Sequence, residues 1–179
     1  MQIHSSSVIH HSRERVFRAY RDEMSAVVPY MPNIEVIHNL RRVERPDGHT
    51  LHNEWVGKGE IPRVARGIVS RDMLKWDDHA EWDSASWSCR WEIKLRVFTE
   101  NVKCKGTTSF IEDSAHATRV SLNGTLDINL RNVPGIPRLL AGTLAPAVEK
   151  FIIALITPNL EQVNASLTRY LDASEPARR

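Results

Sequence analysis

Residues 86–97 read SWSCRWEIKLRV, with Trp87, Cys89, Trp91, Ile93, Leu95 and Val97 alternating against Ser86, Ser88, Arg90, Glu92, Lys94 and Arg96. Successive side chains of a strand point to opposite faces, so this segment has one apolar face and one wet face. A second ladder follows at Val120, Leu122, Gly124, Leu126, Ile128 and Leu130, interleaved with Arg119, Ser121, Asn123, Thr125, Asp127 and Asn129. Two strands of this kind predict an antiparallel sheet that needs cover on one side only. The covering candidate is the apolar stretch Ile136–Leu171, where Leu139, Leu140, Leu144, Val148, Phe151, Ile152 and Leu155 recur at helical spacing. Leu160, Val163, Leu167 and Leu171 carry the stripe onward, while Pro146 and Pro158 are expected to kink or divide the helix.

The rest of the chain reads outward from these elements. Residues 2–9 are a first strand, and Ser12 caps a helix that carries Val16, Phe17 and Tyr20 and ends near Asp22. A short helix covers Ser25–Met31, held to a turn or two by Pro29 and Pro32. Strand two spans Ile34–Arg45, Pro46-Asp47-Gly48 makes a turn, and strand three spans His49–Gly59. Residues 60–70 (EIPRVARGIVS) read as a loop or a bulged strand. Strand four, Met73–Asp83, turns at Ser84-Ala85-Ser86 into strand five. Placing Trp82 opposite Trp87 sets Trp76 across from Ile93 and Asp78 across from Trp91. A turn at Phe98–Asn101 then sets Leu95 against Cys104, Ile93 against Gly106 and Trp91 against Thr108. The next turn, Asp113–Ala117, sets Phe110 against Val120 and Gly106 against Gly124.

Composition excludes several classes. The 179 residues suit one domain over 1–172, with a disordered tail at 173–179. A net charge of +2 without a basic block gives no ground for nucleic-acid binding. No apolar run approaches the roughly 20 residues of a membrane span, and MQIHSSSVIHHSRERV lacks an apolar signal core, so a cytoplasmic location is the default. Asn123-Gly-Thr and Asn164-Ala-Ser match the glycosylation pattern by chance in such a chain. Cys89 and Cys104 fall several pairs apart on adjacent strands, too far for a disulfide, and are read as buried thiols. His10-His11 and His49-x-x-His52 have no ligand geometry, and no HExxH, paired CxxC, GxSxG or phosphate loop occurs, so neither metal nor cofactor is expected.

The element order β-α-α-β-β-β-β-β-β-α, with the longest helix last, resembles the helix-grip fold of the START/Bet v 1-like (SRPBCC) superfamily. HSRERVFRAYRDEMSAVVPYMPNIEVIHNL is similar to the opening of its members, and PNLEQVNASLTRYLDA to their closing helix. The resemblance implies an α+β fold, a curved antiparallel sheet of about seven strands wrapped around a long C-terminal helix. It also implies a hydrophobic cavity between the two, used by some relatives to carry lipids or other apolar molecules and by others as a cyclase or aromatase site.

On that reading the cavity wall comprises Trp55, Trp76, Asp78, Trp91, Ile93, Cys104, Thr108, Phe110 and Leu126 from the sheet. Leu144, Val148 and Phe151 complete it from the helix. The indoles are large enough to be plain core or a ligand-contacting wall. Gly106 opposite Gly124 leaves room for a ligand or marks a bend. Asp78 has two readings. On the apolar face its pKa rises and it becomes a weak candidate acid or ligand-orienting group. With a bulge in Asp77-Asp78-His79 it turns outward, where aspartates normally lie. The expected partner is a hydrophobic small molecule, with binding or transport as the first reading. A polyketide cyclase or aromatase using Asp78 and Thr108 is the second. A solid-cored interaction module is the third, weakened by the solvated face Arg90, Glu92, Lys94 and Arg96. The oligomeric state is left open.

Overall fold

The structure, a computed structural model, describes residues 1–58, 71–97, 99–129 and 138–174, with the side chains of residues 71, 73 and 138–145 outside the description. The ambiguous stretch 60–70, the loop from Asn132 and residues 175–179 therefore lie outside the described residues, as do Phe98 and Leu130.

Among the described residues the elements are β1 (Gln2–Ile9), α1 (Arg13–Asp22), α2 (Met24–Val27), β2 (Ile34–Arg45), β3 (Gly48–Gly57), β4 (Lys75–Asp83), β5 (Ser88–Leu95), β6 (Val102–Ser114), β7 (Ala117–Ile128) and α3 (Arg138–Ser174). One seven-stranded sheet has the order β1-β7-β6-β5-β4-β3-β2, every neighbouring pair antiparallel. From β2 to β7 each strand pairs with the next in sequence, and β1 closes against β7, so α1 and α2 carry the chain from one edge of the sheet to the other. α3 lies against β1 and β7 and packs on α2.

The alternation of residues explains the single buried face. On β5, Cys89, Trp91, Ile93 and Leu95 are buried and the intervening Arg90, Glu92 and Lys94 are exposed. On β7, Val120, Leu122 and Leu126 do the same. Opposite them, α3 buries Val148, Ile152, Leu155, Ile156, Val163, Leu167 and Leu171. That apolar stripe runs on both sides of Pro158 and accounts for one correction: neither proline divides the helix, which continues from Arg138 to Ser174. Pro158 supplies no N–H and so leaves the Ala154 carbonyl without its helical donor, while the neighbouring Asn159 donates from Nδ2 to the Leu155 carbonyl at 2.7 Å. The helix also takes in Ala173 and Ser174, which the sequence reading assigned to the tail.

The register of β6 on β7 follows the expectation, with Phe110 opposite Val120 and Gly106 opposite Gly124. The two preceding hairpins are each displaced by two residues. Asp78 pairs with Ile93 and Ala80 with Trp91, and Trp91 pairs with Gly106 and Cys89 with Thr108. A shift of two keeps every side chain on its face, so the inward set survives while its neighbours change. The cause lies in the turn. Asp83 Oδ1 accepts from the N–H groups of Ala85 and Ser86 at 2.8 and 3.1 Å, and Trp87 takes a φ of 52°, so β5 starts only at Ser88. Trp87 is thus a turn residue and not a strand residue. It packs edge-on against Phe17 at 5.2 Å, under the guanidinium of Arg13 at 4.5 Å.

The β2–β3 turn has its own steric lock. Gly48 has a φ of 155°, and a Cβ there would lie 2.0 Å from the Trp82 carbonyl oxygen. At the other end of the sheet interior, a Cβ on Gly106 or Gly124 would fall 2.4 or 2.6 Å from the Trp91 ring. The glycine pair therefore accommodates the Trp91 indole, and the space it leaves is already filled. No helix among the described residues is long and apolar enough to cross a membrane.

Candidate functional site

Between the sheet and α3 lies a pocket of about 330 Å³. Its floor is the inward face of β3, β4 and β5: Leu51, Asn53, Trp55, Trp76, Asp78, Ala80, Trp82, Cys89, Trp91 and Ile93. Thr108 and Leu122 extend the floor, Ile156, Asn159, Leu160 and Val163 of α3 form the roof, and Tyr20 and Met24 close one side. Six of the sequence-derived wall residues meet here: Trp55, Trp76, Asp78, Trp91, Ile93 and Thr108. Cys104, Phe110, Leu126 and Val148 are instead packed in the solid core, and Phe151 packs against that core from a half-buried position away from the pocket. The side chain of Leu144 lies outside the described residues. The helix contributes its middle turns to the pocket, one to two turns beyond the stretch the sequence reading used, because the open space sits over β3 to β5.

Asp78 points into this pocket. β4 pairs without a register shift on both sides from Lys75 to Asp83, so no bulge rotates the Asp77-Asp78-His79 segment. Asp77 takes the outward face, accepting from His52 Nε2 at 2.8 Å and from Arg96 Nε at 3.4 Å. Asp78 accepts from Asn53 Nδ2 at 3.3 Å, and Asn53 Oδ1 in turn accepts from Asn39 Nδ2 at 2.9 Å. Burial among apolar walls pushes the Asp78 carboxyl up to about 6, against the smaller opposing pull of Asn53, Trp55 and the distant His52. It keeps some accessible surface because it borders the void. The Trp55 Nε1 beside it makes no hydrogen bond of good geometry, and neither does Trp82 Nε1, on an indole only 6% exposed.

The opposite side of the pocket is satisfied. Trp91 Nε1 donates to Thr108 Oγ1 at 3.1 Å, entirely buried. Burial, with Cys89 and Asp78 nearby, raises the Tyr20 phenol far above its ordinary range. Burial also pushes the Cys104 thiol up to about 12 and raises Cys89 well above the usual thiol value. Both cysteines are free. They lie four residues apart in register, and the raised pKa of each disfavours the thiolate, the nucleophilic form.

The mouth is charged. Asp22, at the end of α1, accepts from Arg21 Nη2 at 2.6 Å and from Arg42 Nη1 at 2.7 Å, and Arg42 Nε reaches Glu44 at 2.6 Å. Burial alone would raise Asp22, but these two guanidinium groups hold it below the usual carboxylate range. Arg42 reaches the pocket because of an irregularity in the β2–β3 ladder between Asn39 and Arg41. Past it, Arg42 faces inward opposite Leu51, where strict alternation from Asn39 would have placed Arg41. Tyr20, Asn39, Asn53, Arg42 and the α3 roof were missed in the sequence. Asn53 was findable, since Leu51, Asn53 and Trp55 alternate on one face; Arg42 was not, because the bulge leaves no sequence mark. Among the described residues no group of three His, Cys, Asp or Glu side chains is placed to hold a metal ion.

No protein-family model matches the sequence, and no curated protein matches it. Solved structures do match. The TTHA0849 protein of Thermus thermophilus superposes with a TM-score of 0.65 at 20% identity, covering 98% of this chain and 99% of its own. The Zhui aromatase/cyclase of Streptomyces sp. R1128 gives 0.62 at 14%, covering 99% and 98%. The chain has the START/Bet v 1-like helix-grip fold. Norcoclaurine synthase of Thalictrum flavum, in complex with dopamine and hydroxybenzaldehyde, shares that fold at a TM-score of 0.54 and 10% identity, covering 99% of this chain and 89% of its own. At these identities the START/Bet v 1-like likeness concerns architecture, and the chemistry has to come from the pocket itself.

Proposed function

We propose that this chain binds an apolar, ring-bearing small molecule in the pocket between the sheet and α3. The observation that carries the reading is the lining: a largely indole and aliphatic wall interrupted by a few convergent polar groups, Asp78 and Asn53 foremost. Small-molecule sites have this composition, with polar groups few and placed to fix orientation. The volume of about 330 Å³ is at the lower end of the ~300–1,000 Å³ typical of such sites, which suits a compact ring system better than a long-chain lipid or sterol. The test is to purify the full chain, extract it with organic solvent and analyse the extract by mass spectrometry, alongside native mass spectra of the intact protein. Co-purification of a stoichiometric organic molecule supports the reading. An unloaded protein that also fails to take up any aromatic probe counts against it.

A second reading, acid–base turnover on a polyketide-like substrate, is favoured by one specific observation. Asp78 faces the pocket with its carboxyl raised to about 6, so both protonation states are accessible near neutral pH. The aromatase/cyclase relative lends the substrate class by analogy only. Loss of turnover in Asp78→Asn with retained ligand uptake would separate catalysis from carriage.

A further inference from the structure

We infer that the occupant of this pocket carries a protonated amine, held by Asp78 in an indole-rich wall; the inference rests on the small-molecule reading above. Among the described residues Asp78 has no cationic side chain paired with it. Its one protein hydrogen bond of good geometry comes from a neutral amide, Asn53, and no Lys or Arg among the described residues pairs with it. Among the described residues, the two guanidinium groups that line the mouth are committed elsewhere, Arg21 to Asp22 and Arg42 to Asp22 and Glu44. A carboxylate has room for about four hydrogen bonds and accepts only, so the site asks for a donor, and buried charge is ordinarily met by opposite charge.

The neighbours of Asp78 specify the kind of donor. On the same inward face, Trp76 stands two residues before it on β4, Trp55 lies diagonally across on β3, and Trp91 lies diagonally across on β5. Trp55 and Trp76 stack with centroids 6.0 Å apart and planes 20° from parallel. Indole faces attract a cation and repel an anion, because the ring quadrupole is negative on its face. A hydroxyl would satisfy one lone pair of Asp78 and leave its charge uncompensated. An ammonium group answers both needs: it donates to the carboxylate and compensates its charge, and an indole-rich wall tolerates a cation better than an anion. The apolar remainder of the ligand then occupies the Ile93, Leu122, Leu160 and Val163 side of the pocket.

The test is isothermal titration calorimetry on the full chain with three probes sharing one aromatic body: naphthylethylamine, naphthylethanol and naphthylacetate. At about pH 7.5, where Asp78 is mostly ionised, the amine is expected to bind tighter than the alcohol by on the order of ten- to a hundredfold, with the acetate weakest. In Asp78→Asn and, independently, Asp78→Ser, the amine-to-alcohol ratio should fall towards one, with thermal melts confirming that each variant folds. Equal binding of amine and alcohol to the wild type, or a preference that survives both substitutions, overturns the amine inference and leaves the pocket reading standing. Failure of all three probes to bind overturns both.

Discussion

Replacing Asp78 by Asn should make the protein more stable at neutral pH and have much less effect in acid. The carboxyl has a folded pKa of about 6 against an ordinary 3.8. Between those values the unfolded chain has released its proton while the folded chain retains it, so the native state binds more protons and stability falls as pH rises. The contribution is fully present below about pH 4 and lost above about pH 6. Its size is the shift of roughly two units at 1.36 kcal/mol each, or about 3 kcal/mol, an upper estimate because a partly exposed carboxyl is screened by solvent. Asn keeps an oxygen for the Asn53 amide and never ionises. Other titrating groups, such as Asp22 and Asp77, are common to both proteins and cancel in the difference. Urea denaturation followed by Trp fluorescence, run on wild type and Asp78→Asn in steps from about pH 3.5 to 7.5, measures that difference directly. The gap should widen by about 3 kcal/mol in favour of the variant as pH rises, a shift of several degrees in Tm for a chain of this length. A gap that stays constant with pH, or widens in the wild type's favour, would refute the inward, desolvated Asp78.

Gly106→Ala should destabilise by about 1–3 kcal/mol, because its Cβ meets the Trp91 ring at 2.4 Å and the Asn123 carbonyl oxygen at 2.3 Å; an unchanged denaturation midpoint would contradict that close approach. Thr108→Val removes the acceptor for a fully buried indole N–H and is expected to cost about 1–3 kcal/mol, with an altered Trp emission spectrum as the local signature. Glu23 holds Arg15 through two contacts of 3.0 and 3.1 Å and accepts from Tyr170 at 2.7 Å, tying α1 to α3. Tyr170→Phe should therefore lower stability by about 1 kcal/mol, and a neutral result by the same melts would show that the tie is slack. Both thiols should resist modification by an aromatic disulfide reagent in the native state at pH 8 and react on unfolding; rapid native labelling would place Cys89 or Cys104 at an accessible surface.

Much of the architecture was legible because it follows from local chemistry. Period-two alternation identified β4, β5 and β7, Pro46-Asp47-Gly48 placed a turn, and the spacing of Val16, Phe17 and Tyr20 placed α1. The site was legible to the extent that it depends on face parity. Trp55, Trp76, Asp78, Trp91, Ile93 and Thr108 share the inward face whether the hairpins slip by two residues or not. Parity does not say how far along a helix the open space falls. Leu144, Val148 and Phe151 were therefore chosen where Ile156, Asn159, Leu160 and Val163 form the roof.

Residue order determined which side chains share a face wherever a strand runs without a bulge, since alternation follows from the extended backbone. Which of those inward groups border a void and which are packed solid was decided only by the tertiary structure. Cys104 and Asp78 point the same way, yet one is sealed in the core and the other lines the pocket. That outcome depends on where a helix 37 residues long crosses the curved sheet, on the Trp91 indole filling the space over Gly106 and Gly124, and on one bulge turning Arg42 to the mouth. Each is a contact between segments distant in sequence, whose energy has no local signature.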